Sequence, residues 1–222
     1  MTLDTLAVSA RPVINVVELQ TGQAQMSDLI LDASFQMELA QYGHIQKVLD
    51  AAASTWASPY YAAGTGVVKA TLDPMVRHWM RLSAGASPVV LGDIEMVSKL
   101  GELTGFAAAA DSKAFADSII LEQNNAGYIG MYNGAKVMNL VNPIVDATDV
   151  PVFATNKLYM MPGSLDSGLR PLKVVFEGDV QSQEANNIDD KSYEVRLDQY
   201  FNAAVVYGDR PYLGVYEDTA GN

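Results

Sequence analysis

The chain of 222 residues carries 26 Asp and Glu against 14 Lys and Arg, a formal net charge of -12, and 49% of its residues are hydrophobic. That balance argues against a surface built to grip nucleic acid nonspecifically, while the apolar fraction supplies a core for one large domain or two small ones. Cysteine is absent, which excludes disulfides and thiolate metal sites, and no signal-like leader or apolar run of about 18 residues predicts secretion or a membrane span.

Residues 1–10 are weakly patterned and predict a mobile tail. Residues 11–19, RPVINVVEL, read as a strand with Pro12 at its first position. Gly22 separates them from the strongest periodic stretch, 25–52. There Met26, Leu29, Ile30, Ala33, Met37, Ala40 and Val48 form one helical row. Leu31, Phe35, Leu39, Ile45 and Leu49 form a second, leaving a narrow polar stripe of Asp28, Asp32, Gln36 and Lys47. A helix of about 25 residues is about 38 Å long. Such wide apolar coverage requires neighbours on two sides, with Met26, Leu29, Ile30, Phe35, Met37, Leu39, Ile45 and Leu49 as its structural core. Gly43 is the place for a bend.

Beyond it, a loop leads to a short strand near Val67 and Val68, and Gly64-Thr65-Gly66 lacks the rest of a phosphate-binding loop and reads as a flexible turn. Asp73 and Pro74 predict an N-cap and first helical position, with Met75, Trp79 and Leu82 as the buried row and Gly85 as the stop. Pro88 to Leu91 is a wholly apolar strand suited to burial on both faces. Asp93 caps a helix over 94–103 in which Ile94, Val97 and Leu100 recur, and Asp111 or Ser112 caps another containing Phe115 and Ile119.

Strands dominate afterwards. Asn133-Gly134 is the strongest hairpin signal in the chain. Residues 158–161 and 172–177 read as short strands, and 181–192 as an exposed acidic loop. The longest strand is 193–207, where Tyr193, Val195, Leu197, Ala203 and Val205 alternate with Glu194, Arg196, Asp198 and Asn202. From Glu177 onward there are ten acids against three bases, which sets the C-terminal third apart as a surface.

The residues offer little chemistry. His44 and His78 are the only histidines, so a Cys/His metal site is excluded and a catalytic histidine has little support. His44 falls in a helical series, as a partly buried core or interface residue. The pairs Asp93 with Glu95 and Asp189 with Asp190 read as a helix cap and a solvated loop. Catalytic, cofactor-binding and metal-binding residues are therefore expected to be none. A soluble enzyme with a cleft between two subdomains, built around Asp73, Asp93 or His78, stays open as the alternative of a different class.

The order of segments resembles the major capsid proteins of tailed bacteriophages. The long helix from Met26 resembles the family's spine helix, and 72–127 resembles its axial subdomain. Gly130-Met131-Tyr132-Asn133-Gly134-Ala135-Lys136-Val137 is similar to its recurrent motif, in which an Ile-Gly-x-x-x-Gly stretch leads into a strand with Val. LYMMPGS, RPLKVVFEGD and KSYEVRLDQYFNAAVVYGDRPYLGVYE resemble the return into the peripheral subdomain. The resemblance implies an α+β, HK97-like fold: a tail at 1–10, a peripheral subdomain with the spine helix at 11–54, a mixed α/β axial subdomain at 55–151, and peripheral return strands at 152–222. About 20 residues precede the helix, where the family places an extended N-terminal arm and a long hairpin loop. It further implies a subunit that self-assembles into pentamers, hexamers and a closed icosahedral head, formed in the host cytoplasm and enclosing double-stranded DNA. Scaffolding, portal or decoration proteins would be its other partners, with no cofactor and no membrane, and with packaged DNA near an acidic wall that does not bind it tightly. Glu194, Arg196 and Asp198 are the candidate assembly contacts. An encapsulin-like compartment that encloses cargo protein is the alternative within shells.

Overall fold

The computed structural model describes residues 5–23, 25–83, 86–108, 128–144, 149–163, 171–187, 189, 191–205 and 210–221. The helix expected after Asp111 or Ser112 lies outside the described residues. The chain divides into two compact units, one of Met1–Val48, Ile144–Val152 and Leu172–Ala204, the other of Leu49–Pro143, Phe153–Pro171 and Val205–Asn222.

The first unit is a long helix on a four-stranded sheet. Strands β1 (Leu6–Ala10) and β2 (Val13–Asn15) both pair with β10 (Ser192–Val205), and β9 (Leu172–Asn187) also pairs with β10. Leu6 lies opposite Phe201 and Val13 opposite Glu194. One register therefore runs through both short strands, which form a single lane interrupted at Pro12, where no N–H is available for the ladder. The tail expected at 1–10 is thus a strand from Leu6. The strand expected over 11–19 stops at Asn15, whose side chain accepts from the Val17 amide at 2.9 Å and caps helix α1 (Val16–Gln20).

Helix α2 (Met26–Ala53) follows. Leu29, Ala33 and Met37, four residues apart, sit on one stripe and pack with Ala10, Val195 and Leu197, while Met26 is half-buried beside them. Leu39 and Leu49 are buried and Ile45 is half-buried. Ile30 and Phe35 depart from the expected core: they are 41% and 50% exposed, and Leu31 is 68% exposed. The sheet covers one stripe of the helix, and these three positions turn away from Leu29 and Ala33.

The second unit holds a seven-stranded mixed sheet in the order β3-β11-β8-β4-β7-β6-β5. Its strands are β3 (Tyr61–Gly64), β4 (Val89–Gly92), β5 (Phe106–Ala108), β6 (Tyr128–Tyr132), β7 (Ala135–Asn139), β8 (Lys157–Met161) and β11 (Gly214–Asp218). Helices α3 (Lys69–Leu82) and α4 (Ile94–Gly101) contribute Leu72, Met75, Val76, Trp79, Met96, Val97 and Leu100 to a cluster with Val90, Val137, Leu158, Met160 and Tyr216 of the sheet. Each large side chain so buried contributes about 1.5–3 kcal/mol. Close packing leaves no room at Gly214, where a Cβ would come within 2.6 Å of Trp79 Nε1.

Local signals acted as expected at two places. Asn133 and Gly134 both take positive φ, 47° and 88°, and close the β6–β7 hairpin. The Asp93 side chain accepts from the Glu95 amide at 3.0 Å and caps α4.

Elsewhere the local signals were overridden. Helix α3 starts at Lys69, so Asp73 is not its cap and Pro74 lies inside, where no N–H can reach the Ala70 carbonyl. Asp73 Oδ1 instead accepts from the Tyr132 hydroxyl at 2.6 Å and Asn133 Nδ2 at 2.8 Å. The strand expected near Val67 and Val68 forms at Tyr61–Gly64, where β11 supplies a parallel partner. Ile94 is 57% exposed, and Met96 takes its place in the buried face. The acidic loop expected over 181–192 is strand through Asn187. β8 and β11, both within the 152–222 segment, hydrogen-bond into the seven-stranded sheet with β3 and β4.

Candidate functional site

The outer face of β10 is the first candidate. Glu194, Arg196 and Asp198 share it, as their even spacing requires. Arg11 donates to Glu194 through Nε at 2.8 Å and through its terminal nitrogen. Arg196 Nε lies 2.9 Å from Asp198. The Glu194 and Asp198 side chains are 14% and 15% exposed, whereas Arg196 is 53% exposed. All three candidate contacts therefore have partners within their own sheet, and the open group is the Arg196 guanidinium.

The inner face of the same sheet meets α2 along two grooves. One is lined by Leu6, Val8, Leu39, Ala40, His44 and Pro151. The other is lined by Met37, Tyr42, Ile45, Val174, Phe176 and Phe201. His44 Nε2 is 2.9 Å from Asn202 Oδ1, and its ring meets Phe201 edge-on at 5.6 Å. Gln41 Nε2 donates to Gln199 Oε1 at 2.8 Å. These bonds fix α2 on β10, so His44 is a packed structural group. Neither groove brings together a nucleophile, a base and an orienting acid.

Large apolar side chains are exposed across this unit: Leu31, Phe35, Val174, Val175, Phe176 and Val150 among them. The unbroken apolar run 174–176 has the composition of a strand buried on both faces. Placed instead on an outer strand, it becomes surface, and the missing alternation is the one sequence signal that could have marked it.

The groups kept for an enzyme reading lie in the second unit, each within its own structural arrangement. Asp73 is bound to Tyr132, where burial first and then the Asp73 carboxylate push the phenol well above the usual tyrosine range. Asp93 caps α4 and accepts from Asn142 at 2.8 Å. His78 stands edge-on to Tyr60 at 5.1 Å and to Trp79 at 5.9 Å. Its pKa is lowered, chiefly by burial and then by Arg210 and Arg81. Among the described residues no three His, Asp or Glu side chains are grouped to hold a metal ion.

The best-built polar cluster surrounds Asp218, which sequence reasoning missed. Its side chain is fully buried. It accepts from the Gly66 amide at 2.7 Å, the Ala220 amide at 2.8 Å and Lys99 Nζ at 2.7 Å. The Lys99 bond, opposed by burial and assisted by the two amides, holds its carboxyl below the usual range. Beside it the Tyr216 hydroxyl donates to the Gly66 carbonyl at 2.8 Å and accepts from the Val68 amide at 2.9 Å. Gly66 has φ +77°, and a Cβ at Gly64 would stand 2.6 Å from the Tyr216 hydroxyl, so the glycines expected to make a flexible turn make a tied one. The cluster is a clasp around backbone amides, filled by the protein's own groups.

Comparison with known proteins follows the fold. Residues 3–217 match the family described as SPbeta prophage-derived putative capsid protein YonB. No curated protein matches the chain. Among solved structures, a chain of Mycobacterium phage Patience is similar with a TM-score of 0.61 at 11% identity, over 100% of this chain and 71% of that one. The holo-SrpI encapsulin complex from Synechococcus elongatus PCC 7942 gives 0.58 at 9% identity, over 96% and 74%. A phage-related protein from Bordetella bronchiseptica RB50 gives 0.57 at 10%, over 100% and 77%. At such identities the likeness establishes the fold, a mixed α/β fold of the capsid type.

Proposed function

The chain belongs to the YonB family, and on that premise we propose that it is a shell subunit that assembles with copies of itself into an icosahedral phage head around double-stranded DNA. On this reading it is a structural protein rather than an enzyme, as the family's description suggests. The observation that carries the reading is the family match across residues 3–217. On this reading the fold is HK97-like: α2 is the spine helix, the second unit is the axial subdomain that gathers into pentamers and hexamers, and the sheet of the first unit is the peripheral subdomain. The net charge of -12 suits a wall that retains DNA by enclosure and does not bind it tightly. Arg196, the exposed member of the set with Glu194 and Asp198, offers its guanidinium to a neighbouring subunit, where a rim pair adds specificity more than affinity. Scaffolding, portal or decoration proteins are the further partners, and the head forms in the host cytoplasm.

The test is electron microscopy and sedimentation of the full chain at high concentration in modest salt. Rings of five or six, or closed particles, are expected. Monomer alone under every condition, with or without a co-expressed partner chain, would overturn the proposal. The likeness to an encapsulin favours one competing reading, a compartment for cargo protein. Particles isolated from cells separate the two, since a head holds nucleic acid and a compartment holds a second protein.

A further inference from the structure

Strand β9 lies at a sheet edge: among the described residues its only strand partner is β10. Its other edge therefore offers backbone N–H and C=O groups to an incoming strand. Edges of this kind are ordinarily blunted by charge, proline or a bulge. Here Val174, Val175 and Phe176 stand in the edge, 40%, 40% and 52% exposed. The regular run ends at Gly178, whose φ of +74° only glycine adopts without strain.

The charges around this run select its partner. Lys173 and Glu177 lie at equal distance on either side of Val175, with opposite sign. In an edge strand alternate residues turn their backbone groups outward, so an antiparallel partner must match like with like. When that partner is the same strand of a second copy, the two-fold axis has to pass through a residue and not between two. An axis at Val174 sets Lys173 against Val175. An axis at Phe176 sets Val175 against Glu177. The axis at Val175 sets Lys173 against Glu177 twice, and leaves Val174 against Phe176 and Val175 against itself, so that charge and apolar matching coincide. Glu177 also accepts a bond from the Thr5 hydroxyl within its own sheet, and a carboxylate keeps further acceptor sites for the lysine.

The geometry points to a contact between two copies of this chain, paired antiparallel along the β9 edge about a two-fold axis at Val175. Five paired residues bury less than the roughly 1,200 Å² of a stable interface. The contact is therefore weak between two isolated chains and strengthens where other contacts gather the copies. It does not depend on shell formation, and it is read in dimers, so its failure is distinct from failure of the shell proposal.

With no native cysteine, Val175→Cys introduces the only thiol. Paired residues of antiparallel strands have Cα atoms about 4.5–5.5 Å apart, within disulfide range. Mild oxidation of the full-length variant is expected to give a linked dimer. Lys173→Cys alone gives none, while Lys173→Cys with Glu177→Cys does. In the Val175→Cys background, Lys173→Glu or Glu177→Lys lowers dimer yield about tenfold, because two cross-strand attractions become repulsions. The double reversal restores it. Leu31, Val175 and Glu177 are exposed and Lys173 is half-buried, and circular dichroism checks that each variant keeps its fold. The proposal is overturned if Val175→Cys links no faster than Leu31→Cys on the exposed side of α2, or if the double reversal fails to recover the dimer.

Discussion

Replacing Asp218 by alanine tests whether the clasp around it holds the second unit together. The buried carboxylate accepts from two backbone amides, Gly66 and Ala220, and from Lys99. Without it the half-buried Gly66 amide and the exposed Ala220 amide lose their acceptor and fall back on water, at about 0.5–1.5 kcal/mol apiece. The Lys99 side chain is 46% exposed, so its ammonium turns to water and adds little. The expected loss is about 2 kcal/mol, and about half that for Asp218→Asn, which keeps one oxygen. A chain of two units need not unfold in one step, so urea denaturation is best joined to hydrogen exchange at the Gly66 and Ala220 amides. Acid gives a second handle. A folded pKa lowered from 3.8 contributes stability that is present above that value and is lost as pH falls through the folded pKa. The wild-type protein therefore weakens in that acid range, and Asp218→Asn does not show this share of the loss. If Asp218→Ala stays within about 1 kcal/mol of wild type while both amides keep their protection, the clasp carries no stability and the reasoning fails.

Leu39→Ala, at a buried position on α2, should cost about 2–3 kcal/mol by chemical denaturation, toward the low end for a buried leucine because the site borders an open groove. Phe35→Ala, half-exposed on the same helix, should change stability by no more than about 0.5 kcal/mol. His78 is lowered from 6.5, so the unfolded chain takes its proton first and stability falls as pH drops below that value; His78→Phe should reduce this slope in denaturation curves across about pH 7 to 5. Gly214→Ala drives a methyl into the Trp79 ring and should cost about 1–3 kcal/mol, seen as a lower melting temperature with altered tryptophan fluorescence.

Elements governed by short-range chemistry were legible in the sequence. Asn133-Gly134 fixes a turn because few other pairs take positive φ twice, and Asp93 caps a helix because its side chain reaches the amide two residues on. The long helix was legible from its period alone, but its buried side was not. Two apolar rows recommended Leu29 and Phe35 equally, and only the position of the sheet buries one and exposes the other. Asp73-Pro74 carries a strong start signal that lost to tertiary contacts from Tyr132 and Asn133. The polar stretch after Val180 reads as a loop, yet pairing in the sheet with β10 makes it strand. Glu194, Arg196 and Asp198 alternate with the buried Val195 and Leu197, but alternation could not reveal that Arg11, more than 180 positions earlier, already occupies Glu194.

The ladders have a consequence in time. The sheet of the first unit joins residues 6–15 to 192–201, and in the second unit β11, at 214–218, hydrogen-bonds between β3 and β8. A ribosome delivers the amino end first. Until the last of these strands emerges, β1 lacks β10, the stripe of Leu29, Ala33 and Met37 lacks the Val195 and Leu197 that cover it, and β3 lacks β11. Contacts so distant along the chain close slowly. Neither unit can finish folding on a partly made chain, and a nascent polypeptide held in that state exposes sticky, open-edged surface to its neighbours on the same message. Emergence of the strands at 192–205 and 214–218 thus sets the moment at which either unit can close its sheet and hide that surface.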